Sequence, residues 1–147
     1  MNWIDLKNRF LPAKDWIIHN QLIDGSIPWD EKGKCDSWDH SECLIALAIY
    51  EEWDAFDRGV EWFFSNLNSE GLIYSEFSKQ KPTQLNYQSH HAPYIALPLL
   101  QRYLIDQKSE NLDKYLPQLT TIFSSLLSFM DEDGMYHWSK DNDGYSD

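Results

Sequence analysis

"DGSIPW" at 24–29, "EGLIY" at 70–74 and "DGMYHW" at 133–138 are three versions of one punctuation mark: an acidic residue, a glycine, then one or more aromatics. Each follows an apolar stretch that reads as a helix. Gly25, Gly71 and Gly134 stand about one helical hairpin apart, and recurrence on that scale marks one supersecondary unit used repeatedly. A glycine ends a helix by adopting the left-handed conformation, and the following aromatic packs back between hairpins. Because the feature recurs, its expected role is structural.

Between and beside these turns, five helices are expected. The first starts near Pro12 and runs to about Ile23, with Trp16, Ile17, Asn20 and Ile23 on one face. The second runs from Asp36–Ser37 to about Glu52 and is apolar nearly all round its middle. Asp54 is expected to cap the third, whose stripe is Phe56, Val60, Phe63, Phe64 and Leu67. The fourth, "SHHAPYIALPLLQRYL" at 89–104, is again mostly apolar, with Pro98 expected to kink its interior. The fifth covers about 112–130. Partly amphipathic helices thus alternate with nearly all-apolar ones, as in a double-layered α/α toroid with surrounded inner helices and outer helices that keep a wet face.

The expected fold class is therefore all-α: a single domain over 1–147 forming about half of an (α/α)6 barrel. No stretch alternates with period two, so no substantial sheet is expected. An open half-ring leaves apolar flanks. These are expected to be covered by a second chain, by a C-terminal portion completing the ring, or by closing up differently.

Composition narrows the partners. Twelve Lys and Arg against twenty-four Asp and Glu give a formal charge of −12, which excludes nucleic-acid binding resting on phosphate neutralisation, and argues equally against anionic membrane surfaces. Part of the seven Trp and eight Tyr must be core, but so many also suit a cleft that stacks on sugars or encloses an apolar small molecule. The N-terminal "MNWIDLKNRF" has no apolar signal region, and "LIALAIY" at 44–50 is too short to span a bilayer. Cys35 and Cys43 have poor spacing for a disulfide, and both are expected to be reduced and unreactive in a cytoplasmic protein.

The run from "DGSIPW" through "CDSWDHSECLIALAIYEEWDAFDRGVEWFF" to "EGLIY" resembles the opening half of bacterial proteins labelled prenyltransferase-like or terpenoid-cyclase-like α/α toroids. "LNYQSHHAPYIALPLL" at 85–100 fits the inner helix that follows in that family, and the resemblance covers about residues 12 to 145. It implies the toroid and a setting in cell-surface glycan or isoprenoid-linked glycan metabolism. Catalytic relatives differ: the cyclases use a D-x-D-D acid, whereas Asp36-Ser37-Trp38-Asp39 has another spacing. The zinc-ligand set of protein prenyltransferases is drawn partly from a region beyond this chain.

Two clusters are candidates for chemistry. Asp36, Trp38, Asp39, His40 and Glu42 lie at the N-terminal end of the second helix, where one rim of a toroid forms its cleft. Two carboxylates converging there suit acid–base work of the glycoside-hydrolase or lyase type. Asp36 at N-cap with Asp39 at N3 is equally ordinary helix-start chemistry. The second cluster is Asn86, Tyr87, His90, His91 and Tyr94 at the expected start of the fourth helix. If the two inner helices run parallel, both clusters share a rim.

Asp36, Asp39, Glu42 and His90 are the candidate catalytic residues. Trp29, Trp38, His40, Asn86, Tyr87, His91 and Tyr94 are the candidate binding residues. Neither C-x-x-C nor H-x-x-x-H spacing occurs to support a metal site, so no metal or cofactor is expected. Besides a toroid enzyme, a non-catalytic saccharide- or protein-binding module and a fragment without independent function remain as readings.

Overall fold

The computed structural model describes residues 2–141 and 143–146; the ends of the expected domain, Met1 and Asp147, lie outside them, as does Asn142. Seven α-helices are present among the described residues. They are α1 (Trp3–Arg9), α2 (Leu11–Asn20), α3 (Ser37–Ile49), α4 (Trp53–Ser65), α5 (Ala96–Asp106), α6 (Glu110–Asp113) and α7 (Leu116–Ser125).

Helix α3 is the centre of the molecule and packs on both α4 and α5. Its Leu44, Leu47 and Ala48 meet Phe56, Val60 and Phe63 of α4, with Ile95, Leu99 and Ile122 completing the same buried cluster. Burying each large side chain of this kind stabilises by about 1.5–3 kcal/mol relative to exposure. Gly59 lets α4 approach: a Cβ there would stand 2.5 Å from Leu44 Cδ2. The chain turns between α3 and α4 through Glu51, held at a φ of 61°.

The three punctuating glycines all have positive φ, but none ends a helix: the C-caps are Gln21 for α2, Asn66 for α4 and Met130 for the 3-10 turn before Gly134, so each glycine shapes the loop beyond. At Gly25 the turn packs so closely on α4 that a Cβ would lie 2.1 Å from the Arg58 carbonyl oxygen. Helix boundaries differ modestly from expectation. Asp54 sits inside the first turn of α4, with Glu52 at its N-cap. The fifth expected helix is divided into α6, α7 and a 3-10 turn at Leu126–Phe129.

The all-α expectation is corrected. A five-stranded antiparallel sheet runs in the order β1-β2-β3-β4-β5, formed by Lys34–Asp36, Tyr74–Ser78, Lys81–Gln88, Ser139–Lys140 and Tyr145–Ser146. In β2 the inward positions are Ser75 and Phe77, so one of two buried residues is polar and the alternation is disguised. β3 is exposed over most of its length and carries no apolar stripe. The hairpin turn uses Lys79 and Gln80, both at positive φ, where glycine or asparagine is usual.

The fourth expected helix is corrected with it. Residues 81–88 are strand, Pro93–Ile95 form a 3-10 turn, and the α-helix begins only at Ala96. Pro98 therefore falls in the first turn of α5, where proline is tolerated, and kinks nothing.

Candidate functional site

The sheet gathers the candidate residues. β1 ends at Asp36, which pairs with Glu76 of β2 and is at once the N-cap of α3. β3 pairs with β2 and ends at Gln88, two residues before His90. Gln88 in turn pairs with Ser139 of β4, and the Ser89 N–H donates to the Trp138 carbonyl at 2.9 Å. Asp36, His90 and Trp138, distant in sequence, stand at or beside the ends of β1, β3 and β4 of one sheet.

Side-chain contacts close that end. Ser37 Oγ and His91 Nδ1 are hydrogen-bonded at 2.9 Å, and the Tyr94 hydroxyl donates to Glu42 Oε1 at 3.2 Å. Trp38 stands edge-on to His90, ring centroids 4.9 Å apart, and to Tyr94 at 6.0 Å. The Trp29 indole lies near enough to the Asp39 carboxylate to favour its charged form. The second helix's start and the segment entering α5 thus share one rim, with Asp36, Asp39, Glu42, Trp29, Trp38, His90 and Tyr94 brought together.

Four expected binding residues stand elsewhere. His40 is fully buried: its Nδ1 accepts the Ile27 N–H at 3.2 Å, so its Nε2 carries the proton and donates to the Gly59 carbonyl at 2.9 Å. It ties the first glycine turn to α4 and does not reach the rim. His91 is buried against Ser37. Tyr87 stacks on Tyr74 at 4.8 Å in a small second core with Leu72 and Phe129. Asn86 accepts from Ser75 Oγ across the β2–β3 pair and faces a separate polar recess with Leu85, Asp141 and Asp143. Strand geometry turns Tyr87 and Asn86 away, the inward face of α3 buries His40, and the turn after β3 buries His91.

Electrostatically the rim is a set of like charges. Burial, then the neighbouring Asp39 and Glu42, push the Asp36 carboxyl up to about 6, against the lowering effect of the Asp39 and Trp38 backbone N–H groups. Asp39 is raised too, first by burial and then by Glu42. Burial lowers His90, and burial with the adjacent His90 brings His91 down to about 3. A carboxyl that titrates near 6 is a competent proton donor close to neutral pH. Cys35 and Cys43 are both pushed up by burial, consistent with unreactive thiols. Among the described residues no group of three or more His, Cys, Asp or Glu is placed to hold a metal, and no helix is long and apolar enough to cross a membrane.

Two features of the site are not foreshadowed by the sequence reading. A cleft of about 410 Å³ lies beside His90, lined by Ser89, Pro93, Tyr94, Leu97, Leu126 and Tyr136. Trp138 covers His90, with ring centroids 4.4 Å apart. Both Tyr136 and Trp138 belong to the third glycine–aromatic turn, whose repetition pointed to a structural role alone.

No family model matches the chain, and no curated protein matches it in sequence. Solved structures match in fold. A D-mannose isomerase superposes with a TM-score of 0.73 at 13% identity, over 100% of this chain and 41% of that one. A cellobiose 2-epimerase from Bacillus thermoamylovorans B4167 gives 0.67 at 14%, over 99% and 42%. The family 8 glycosyl hydrolase Cel10, an endoglucanase from Klebsiella pneumoniae, gives 0.64 at 21%, over 81% and 39%. The chain spans about two-fifths of the length of these structures. At such identities the likeness is one of fold: the helical repeat is of the α/α-toroid kind, and these toroids are carbohydrate-processing enzymes rather than prenyltransferases.

Proposed function

We propose that the chain is one domain of an α/α-toroid carbohydrate-active enzyme, and that the rim around Asp39 and His90 binds a saccharide. The observation that carries this reading is the meeting of the two clusters through Ser37–His91 and Glu42–Tyr94. It sets three carboxylates of α3 beside the partly exposed aromatic faces of Trp29 and Trp38. In this reading Asp36, raised to about 6, supplies an acid, while Asp39 and Glu42 supply carboxylate bases or orient hydroxyls. Trp29, Trp38 and Tyr94 give the apolar faces on which sugar rings lie. The similarity in fold to sugar-processing toroids supports the same reading over a prenyl-transfer one. The remainder of the ring then comes from a C-terminal portion or a second chain.

A binding module without turnover is the second reading, favoured by one observation: Asp36 Oδ1 already accepts the Asp39 N–H at 2.7 Å as a helix cap. Incubating the protein with neutral oligosaccharides and resolving the products by chromatography separates the two. An enzyme yields shortened, epimerised or isomerised products that vanish in Asp39→Asn with the circular dichroism unchanged. Binding without any product, weakened by Trp38→Ala, selects the module. Products that persist undiminished in Asp39→Asn contradict the catalytic reading.

A further inference from the structure

His90 is the one described side chain whose buried ring nitrogens both lack a hydrogen-bond partner. Buried polar atoms are nearly always satisfied, so a fold that leaves two nitrogens of one ring open has something else for them to meet. The ring is packed by aromatics: Trp38 at 4.9 Å, His91 at 4.5 Å and Trp138 at 4.4 Å. Of these, Trp138 is 57% exposed; its backbone is pinned by Ser89, while its indole projects to the surface. His90 also forms a wall of the cleft completed by Tyr94, Leu97, Leu126 and Tyr136, and Tyr136 is 56% exposed.

The charge around this cleft is one-sided. No lysine or arginine lines it among the described residues. The charged neighbours that act on Asp36 and Asp39 are other carboxylates, Asp39 and Glu42. Lys34, which lies over the Trp29 ring at 4.6 Å, is paired with Glu76 at 2.7 Å. A diphosphate, uronate or sulfate would enter with no counter-charge in the lining, and Glu42, bonded to the lining residue Tyr94, would oppose it.

Resting on the saccharide reading above, we propose that this cleft is a subsite for one uncharged pyranose unit of a neutral glycan. Tyr136 supplies the apolar platform, and His90 is the hydrogen-bonding anchor for a sugar hydroxyl. The C–H face of a pyranose suits the electron-rich face of an exposed phenol ring. A neutral imidazole has one donor and one acceptor, and a sugar hydroxyl can accept from the first or donate to the second. Reaching the ring requires the Trp138 indole to shift aside, so occupation changes tryptophan fluorescence.

The test titrates the intact protein with cellohexaose and mannohexaose, and at matched ionic strength with hexagalacturonate, following tryptophan fluorescence and calorimetry. At least one neutral hexamer is expected to bind, and hexagalacturonate at least about tenfold more weakly. His90→Phe is expected to weaken the neutral ligand about tenfold while the melting temperature holds or rises, because two unsatisfied nitrogens are removed. A residue kept only for packing would instead lose stability and keep affinity. Tyr136→Ala is expected to weaken binding without altering the far-ultraviolet dichroism. Equal or tighter binding of hexagalacturonate overturns the proposal, as does parent-like affinity in both variants. If those variants bind normally while Trp38→Ala and Asp39→Asn do not, this subsite is wrong and the wider rim stands. If none of the three saccharides binds, both readings fall.

Discussion

Ser37 Oγ and His91 Nδ1 lie 2.9 Å apart, both residues buried, and this bond, with Tyr94–Glu42 beside it, joins the start of α3 to the segment that leads into α5. It fastens together two stretches that are 54 positions apart. Replacing Ser37 by Ala removes one partner and leaves a buried imidazole nitrogen unpaired, a loss of about 1–3 kcal/mol. Urea unfolding of Ser37→Ala should show that loss in the midpoint with an unchanged slope. A change below a few tenths of a kcal/mol would mean the junction is held by its other contacts.

The buried histidines make stability depend on pH. His40 is lowered from 6.5 to about 4 and His91 to about 3, burial being the first cause in each. Between those values and 6.5 the unfolded chain binds more protons, so stability falls as pH drops through that window. Asp36 acts in the opposite sense. Raised from 3.8 to about 6, it contributes stability that is present at low pH and lost as pH rises through 6. His90, also lowered by burial, adds to the decline on acidification, and Asp39, also raised by burial, opposes it, leaving a net fall in stability as pH drops. His91→Gln should flatten the profile between pH 4 and 6.5, and Asp36→Asn, which keeps a cap, should steepen it. A profile that rises toward pH 4 would contradict the assignment.

The three turn glycines should not be equally intolerant. All have positive φ, yet an added Cβ meets the Arg58 carbonyl oxygen at 2.1 Å for Gly25, the Ile122 nitrogen at 2.8 Å for Gly71, and nothing within 4 Å for Gly134. Gly134→Ala therefore incurs only the left-handed penalty of about 1–2 kcal/mol. Gly25→Ala adds a clash with backbone that cannot move aside and should exceed about 3 kcal/mol, with Gly71→Ala between. Thermal melts of the three variants give the ranking directly; equal shifts would show that the turns relax freely.

How far the sequence could be read followed from where each signal comes from. The helical repeat was legible because apolar stripes such as Phe56, Val60 and Phe63 and the glycine turns are local features. So was the Asp36 cap, whose Oδ1 accepts the Asp39 N–H at 2.7 Å. The sheet was not, since Ser75 fills an inward position and Lys79–Gln80 make a turn without glycine. Missing it displaced Asn86 and Tyr87 from a supposed helix start into β3. Burial is the other hidden quantity: His40 and His91 look like rim residues until helix packing turns them inward. Arg102 also escaped notice. It is buried between Asp57 and Asp106, with its guanidinium over the Trp53 and Phe56 rings, and a lone arginine in an apolar helix announces no partners.

The α3 N-terminus and the segment before α5 are proposed to make one saccharide-binding rim. An experimental structure of the protein soaked with a neutral oligosaccharide that it binds tests this most directly. The expected density is a sugar ring against Trp38 or Tyr136, with hydroxyls within hydrogen-bonding reach of Asp39, Glu42 or His90. Sugar found instead in the apolar groove between α1 and α3, lined by Trp3, Phe10, Ile49 and Tyr50, with the rim empty, would contradict the account.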